Sequence, residues 1–462
     1  MNDRKNNDDT VDQPPRRLVL KGLASAAGAA AFGVPLFSGM SFSAMAQSQA
    51  KSPIGNFPAG VSGNTVFGGL TVDLTGPYSA QGEEQRNGYE LAVEQINSGA
   101  AQMRRISPLT KKGVLGKTLK VQAGDAETKP NSAVQLATRF ITNDKAMLIA
   151  GSTSSSVAIA LENYCNRERT IYMAAISGST ETTGEKCQRY GFRPCYYAYM
   201  TCKALAPVVA KELGRNRKAA YLIPDYTYGH TTTTQFKEFS AKDGGWTSVS
   251  EQVHPLGATD FSSYLINIAN SGADTLVVID YGADSVNSIK QAKEFGILNK
   301  MKVVIPYMSS FLANSLGAEI MQGVYAATNF WWTMAENPKY PGAKEFVDAY
   351  MKKFGGKRPQ DSAFVAYLGM ALWADGVERA GTFNPPDVIK ALEAGTKREG
   401  PTGPVWFRGG DHQAAVNFPI VRGKKPADMR NKDDFFDIVE VVDGASMLPP
   451  LELFGCKLGE YV

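Results

Sequence analysis

The sequence predicts an α/β protein of two lobes, each built on a doubly wound parallel sheet. Three observations predict it. Short apolar runs alternate with amphipathic stretches, the pattern of parallel strands covered by helices on both faces. The alternation comes in two series separated by an interval. The chain has 462 residues, more than one hydrophobic core ordinarily organises.

The first series opens with the apolar run Thr65-Val66-Phe67-Gly68-Gly69-Leu70, which enters the turn Thr75-Gly76-Pro77. From Glu83 to Asn97, Tyr89, Ala92, Val93 and Ile96 share one helical face. Leu119 to Ala123 then reads as a strand, Asn131 to Asn143 as a helix and Met147 to Ala150 as a strand. Val157 to Arg167 follows as a helix and Thr170 to Ala175 as a strand. The second series gives strands at Ala219 to Ile223, Thr275 to Ile279 and Lys302 to Ile305. Its helices are Thr232 to Lys242, Asp260 to Ser271 and Ser285 to Gly296. Phe346 to Lys353 and Phe364 to Arg379 add two helices, and Val405 to Val421 and Phe435 to Val442 read as strands.

The N-terminus carries an export signature. Arg16-Arg17-Leu18-Val19-Leu20-Lys21 resembles a twin-arginine signal, an alanine-rich apolar stretch follows, and Ala44-Met45-Ala46 has the small-x-small form of a cleavage site. Residues 1–46 are therefore expected to be a signal peptide delivered to the twin-arginine machinery, and residues 47–62, rich in Ser, Gly and Pro, a linker. No later segment has the ~18 uninterrupted apolar residues that span a bilayer. The expected location is the periplasm.

Composition narrows the function. Hydrophobic residues make up 43% and charged residues 20%, values of a globular protein. The net charge is +4, and residues 1–46 hold five basic and four acidic side chains, so +3 remains without them. No dense basic run is present, which argues against nucleic acid as a partner. The three histidines, His230, His254 and His412, lack metal-ligand spacing. A P-loop, a G-x-G-x-x-G turn and a G-x-S-x-G elbow are all missing, so the expectation is a non-enzyme with no cofactor. Export makes disulfides admissible for the five cysteines, Cys165, Cys187, Cys195, Cys202 and Cys456. An odd number leaves at least one thiol outside any intrachain bridge. A Cys187–Cys456 bridge would tie the tail to the body, and other pairings stay open. A catalytic cysteine is the sharper alternative, disfavoured by so few histidines.

In open parallel sheets, ligands bind at the carboxyl ends of strands. Two loops at such ends are small and hydroxyl-rich: Gly151-Ser152-Thr153-Ser154-Ser155-Ser156 and Ser177-Gly178-Ser179-Thr180. Free N–H groups at a helix start, with serines beside them, cradle a carboxylate or amide oxygen; plain N-capping favours the same residues. The second series places aromatics at equivalent ends: Tyr226 and Tyr228, Tyr281, Tyr307, and the pair Trp331-Trp332. They suit either the cover of a planar ligand or interlobe packing.

Leu74-Thr75-Gly76-Pro77 with Gly82, the helix end Ala92 to Asn97, Gly151 to Ser156, Tyr228-Gly229 and Ile289 to Ala292 occur in a set order, and Gly403-Pro404-Val405-Trp406-Phe407 and Asp411-His412-Gln413 complete it. On these residues the chain resembles, from Phe67 to Phe418, the leucine/isoleucine/valine-binding proteins and their relatives for amides and urea, of the type I periplasmic binding fold. The resemblance implies two lobes joined by three crossover strands, placed near Ala198, Thr328 and Val405. That gives an N-terminal lobe of 63–198 plus 329–405 and a C-terminal lobe of 199–328 plus 406–462. The resemblance assigns Ser154, Ser155, Ser177, Gly178 and Ser179 to a ligand carboxylate, Gln81 and Tyr78 to the first-lobe cover, and Tyr281 to a ligand amino group. One departure stands out: amino-acid receptors carry an acid after the next strand, where this chain has Pro306-Tyr307-Met308. An ammonium buried without a carboxylate is costly; Asp225, Asp280 or Asp284 are candidate substitutes, and an amide, urea-like compound or aromatic carboxylate fits as well. The implied function is capture of a small organic ligand by lobe closure and delivery to the permease and ATPases of an ABC importer, by a monomer. A periplasmic sensor or co-receptor is the alternative, and an amide hydrolase a more distant one.

Overall fold

In the computed structural model, residues 63–461 are described. The expected signal peptide (1–46) and linker (47–62) lie outside them. Strands β1 (Thr65–Val72), β2 (Thr118–Asp125), β3 (Leu148–Gly151), β4 (Ile171–Ala174) and β5 (Gly191–Phe192) form a parallel sheet in the order β2-β1-β3-β4-β5. Its central strands β3 and β4 are buried along their whole length, because helices cover both faces. On this sheet the helix Ser79–Ser98 packs along the helix Asp361–Ala380. Gly88 permits that approach, since a Cβ there would lie 2.1 Å from the carbonyl oxygen of Ala363.

The second sheet takes β6 (Lys218–Pro224), β7 (Thr247–His254), β8 (Thr275–Val278), β9 (Lys302–Ile305) and β10 (Tyr325–Ala327), all parallel. A small antiparallel sheet follows, made of β11 (Arg398–Gly400), β12 (Gly403–Phe407) and β13 (Ala414–Val416). The chain then returns to the second sheet with β14 (Phe418–Gly423), antiparallel to β10, and β15 (Phe436–Val442), giving the order β15-β14-β10-β9-β8-β6-β7.

Three passages link the two sheets: residues 193–198 after β5, 328–331 after β10, and 416–418 between β13 and β14. They lie side by side. Arg193 bridges to Gln413 in parallel, with Arg193 N–H on His412 O at 3.1 Å and Ala414 N–H on Arg193 O at 3.0 Å. Thr328 N–H reaches Pro419 O at 3.2 Å.

The expected third crossover near Val405 is displaced. Val405 pairs with Arg398 and Val416 inside the small sheet; the stretch expected to be strand from Val405 to Val421 divides among β12, β13 and β14, and the second sheet resumes at Phe418. The tail does not stay with the second lobe either. Cys456 is bonded to Cys187, Arg189 holds Gly459 O, and the Tyr461 hydroxyl donates to Glu393 at 3.1 Å. These partners belong to the segments before β5 and before β11. Two elements lacked a readable signal. β7, TSVSEQVH, is an edge strand exposed along most of its length and has no apolar run. The helix Ala198–Leu213 carries Pro207 inside it. The helix expected over Asp260 to Ser271 is shorter, Ser262–Ala269.

Candidate functional site

The first-lobe wall starts at Asp73, one residue past β1. Its carboxyl accepts N–H bonds from Thr128 at 2.9 Å and Thr153 at 3.0 Å, and burial pushes its pKa up to about 6. Gln85 donates to Thr153 Oγ1 at 2.8 Å. Ser152 adopts φ 71° and its hydroxyl pairs with Tyr172 OH at 2.8 Å, which stabilises a conformation that non-glycine residues seldom take. These bonds fix the loop leading into the helix Ser155–Arg167. Ser154 occupies its N-cap position with no side-chain cap bond, so the first-turn N–H groups lack a side-chain acceptor from that residue.

Ser155 Oγ accepts from Ser179 N–H at 3.1 Å and joins the two serine loops. Ser177 Oγ pairs with Thr182 Oγ1 at 2.6 Å, and Ser179 Oγ accepts from Glu181 N–H at 3.1 Å. The structure therefore brings Ser154, Ser155, Ser177, Gly178 and Ser179 together, but the hydroxyls of Ser155, Ser177 and Ser179 are used to shape the loops.

The second-lobe wall is aromatic. Tyr307 is its centre, with ring centroids 5.6 Å from Tyr281, 5.8 Å from Tyr228 and 4.5 Å from Tyr196. Tyr226 lies 5.7 Å from Tyr228. These edge-on and tilted packings are favoured by the ring quadrupoles. All are buried except Tyr226, which is half-buried.

The walls meet. Tyr78 OH and Tyr226 OH are 2.8 Å apart, Tyr78 stacks edge-on to Tyr281 at 5.8 Å, and Ala283 N–H reaches Pro77 O at 3.1 Å. Gln81 Nε2 donates to Ser309 Oγ at 3.1 Å. Gly178 abuts Tyr228 so closely that a Cβ would lie 2.5 Å from its ring. An acid joins them from a segment far from β9: Asp361, at the start of the helix Asp361–Ala380. It accepts from Tyr281 OH at 3.1 Å and from Ser310 N–H and Oγ at 2.9 Å each, and burial raises its pKa. Several buried polar atoms here have no protein partner among the described residues: Gln81 Oε1, Tyr196 OH, Tyr228 OH and Ser362 Oγ. Leaving such atoms unpaired costs roughly 1–3 kcal/mol each, which a bound polar solute would offset.

Behind Tyr226, His254 is fully buried with Nε2 at 2.7 Å from Asp280 and Nδ1 at 2.9 Å from Pro255 O. Both neighbours are acceptors, so both ring nitrogens carry protons; burial pushes the imidazole pKa down, but the Asp280 carboxylate lifts it above its ordinary value overall. Asp284 accepts from Gly257 N–H at 2.9 Å, and burial, with Asp280 beside it, raises it to about 6. Asp225 lies elsewhere, in an exposed pair with His230.

Trp332 does not join the cluster. Its Nε1 donates to Asp433 O at 3.0 Å and the Arg358 guanidinium covers its ring at 4.1 Å, while Trp331 packs edge-on to Phe436 at 4.9 Å. Both indoles are packing residues at the second crossover. Cys187–Cys456 is formed, and Cys165, Cys195 and Cys202 are buried thiols whose pKa burial raises, the opposite of an activated nucleophile. Tyr196, Ser309, Asp361 and Asp73 escaped the sequence reading. Asp73 and Ser309 stand just past strand ends, the same signal that singled out the serine loops. Asp361 and Tyr196 sit at a helix start and a crossover, where sequence alone carries no such cue.

The sequence and the fold match known proteins. Residues 65–428 match the family model described as periplasmic binding protein. A Leu/Ile/Val-binding protein homolog 7 from Brucella abortus is 28% identical over 337 residues, 71% of this chain and 80% of its own length. Among solved structures, an amino acid ABC transporter substrate-binding protein from Pseudomonas fluorescens is 27% identical with a TM-score of 0.74, over 85% of this chain and 98% of that one. A solute-binding protein of an ABC transporter from Rhodopseudomonas palustris, in complex with 3,4-dihydroxybenzoic acid, is 25% identical with a TM-score of 0.70, over 83% and 98%. The α/β fold with parallel sheets in two lobes is thus shared with these structures, and the chain belongs to the periplasmic binding protein family.

Proposed function

We propose that this protein captures a small organic carboxylate in the cleft between its lobes and delivers it to an ABC importer. The observation that carries the reading is the cleft itself. Hydrogen bonds at Tyr78, Gln81 and Asp361 cross between the lobes, while Tyr228 OH, Tyr196 OH and Gln81 Oε1 are buried without a protein partner among the described residues. A solute that satisfies those atoms bridges both walls and stabilises the closed form, which is what a permease would recognise. The serine loops Gly151–Ser156 and Ser177–Thr180 take the carboxylate through their backbone donors; Tyr78, Gln81, Tyr226, Tyr228, Tyr281 and Tyr307 enclose the rest. The hinge comprises residues 193–198, 328–331 and 416–418. No chemistry is done on the ligand. An amino acid or an aromatic acid is the ligand class, in keeping with the relatives' amino acid transport and bound 3,4-dihydroxybenzoic acid. Arg16-Arg17 and Ala44-Met45-Ala46 support export by the twin-arginine route and a periplasmic location.

The test is a thermal-shift screen of the chain from Gln47 against amino acids, amides, ureas and aromatic acids. A ligand at a hundred times its Kd adds about 2.7 kcal/mol of stability. A shift confined to one class names the solute; a flat response to all four would sink the reading.

A further inference from the structure

Arg193 sits in the first crossover with its side chain wholly buried. Its Nε donates to Gln413 Oε1 at 2.6 Å, Nη1 to Ser177 O at 2.9 Å and also to Ser179 O, and Nη2 to Thr183 Oγ1. The Tyr197 ring lies 4.0 Å beneath the guanidinium. Every one of these partners is uncharged, and a guanidinium does not surrender its proton in a protein. Two acids are near enough to consider. Asp411 is bound to Arg408. Glu162, on the helix Ser155–Arg167, acts on Arg193 only through space: no hydrogen bond joins the two among the described residues, burial raises the Glu162 pKa, and its Oε2 has no protein partner. A positive charge is therefore buried behind the cleft with no carboxylate hydrogen-bonded to it among the described residues, an arrangement that costs stability unless an anion comes near.

The geometry says where that anion goes. In a trans peptide the C=O and the following N–H point in opposite directions. Because Arg193 holds the carbonyls of both Ser177 and Ser179, the N–H groups of Gly178 and Thr180 are turned away from it. Gly178 is the residue that abuts Tyr228 and Tyr307. Both peptide dipoles turn their negative ends to the guanidinium and their positive ends away from it, and Gly178 stands directly against the aromatic wall.

We infer that Arg193 is a positioning residue that makes the cleft select an anion: it orients the Gly178 and Thr180 donors and supplies the charge that a ligand carboxylate balances. This rests on the solute-binding reading, and it narrows the ligand to one bearing a carboxylate or an equivalent anion where neutral amides and ureas would be refused.

The experiment compares three acid–amide pairs by calorimetry on the chain from Gln47: benzoate with benzamide, 4-hydroxybenzoate with 4-hydroxybenzamide, and L-leucine with L-leucinamide. For whichever pair binds, the acid is expected to bind about tenfold or more tighter than its amide, the scale of a buried charge acting over a few ångströms. Gln413→Glu sets a carboxylate against the guanidinium and keeps the arginine in place; it should bring acid and amide within about threefold of each other. Arg193→Lys keeps the charge but not the two-carbonyl grip, so it should lose about tenfold in acid affinity and retain the preference for acid over amide. Melting curves of each variant separate lost selectivity from lost folding. The selectivity of the unmodified chain tests the inference even if both variants unfold. Amides that bind as well as acids to the unmodified chain overturn it while leaving the solute-binding reading intact, and so does a folded Gln413→Glu variant with undiminished selectivity. No binding by any member of the three pairs overturns both.

Discussion

The first-lobe wall of the cleft is made of small residues on tightly held loops: Ser154, Ser155, Ser177, Gly178 and Ser179, braced from behind by Asp73, Gln85, Tyr172 and Arg193. The second-lobe wall is made of large side chains packed on one another: Tyr226 and Tyr228 after β6, Tyr281 after β8 and Tyr307 after β9. One wall offers backbone donors with fixed directions, the other offers aromatic area with hydroxyls at the rim. Under the proposed function this difference divides the work: the first wall would take a polar end of a solute, and the second would set its shape and close over it. A substitution on the first wall should therefore change whether a solute is held, and one on the second should change which.

The sharpest way to break that division is to stop the walls from meeting. Gly178→Ala inserts a methyl 2.5 Å from the Tyr228 ring, and repacking cannot absorb it without parting the lobes. Affinity for the screened solute should fall about a hundredfold, read by calorimetry, with the melting temperature of the free protein nearly unchanged. Tyr281→Phe removes the hydroxyl that Asp361 accepts at 3.1 Å. About 1–2 kcal/mol of closed-state stability should go with it, about tenfold in affinity, and a rise in the ligand off-rate should accompany the loss. Asp284 bears on the pH dependence of stability rather than on affinity. Its folded pKa of about 6 lies above the ordinary 3.8, so the folded state holds an extra proton between those values. Its contribution is greatest at low pH and is lost as pH rises from about 4 to about 6, on the order of 2–3 kcal/mol. Asp284→Asn should flatten denaturation midpoints across that window; a slope identical to the parent's would show that Asp284 titrates normally. Trp332→Phe should leave solute affinity unaltered, since its bonds run to Asp433 and Arg358. An affinity loss there would extend the second wall to the second crossover.

How much of this the sequence carried depended on where a residue stands. Strand-end loops were legible, because a parallel sheet delivers every such loop to one edge; that is why the serine loops and four of the second wall's tyrosines were found. Trp332 failed the same rule since the chain after β10 leaves the sheet for the other lobe, and its indoles pack where the passages cross. Asp361 was invisible for the complementary reason. It comes from a helix start with no strand before it and reaches Ser310 and Tyr281 only through the joining of two distant segments. β13 went unseen as a separate strand because it is only three residues long, Ala414-Ala415-Val416, and Asn417 alone divides it from β14.

Cys187 and Cys456, 269 residues apart in sequence, close most of the chain into a ring that contains all three passages between the lobes. Ordinary hinged proteins come apart if one exposed loop is clipped and the interface then opens. Here a single cut anywhere between those cysteines leaves both pieces covalently joined, so a nicked molecule remains one molecule until a reductant arrives. For a protein that works outside the cytoplasm, where proteases are common and disulfides persist, the last dozen residues act as insurance against fragmentation rather than as a loose end.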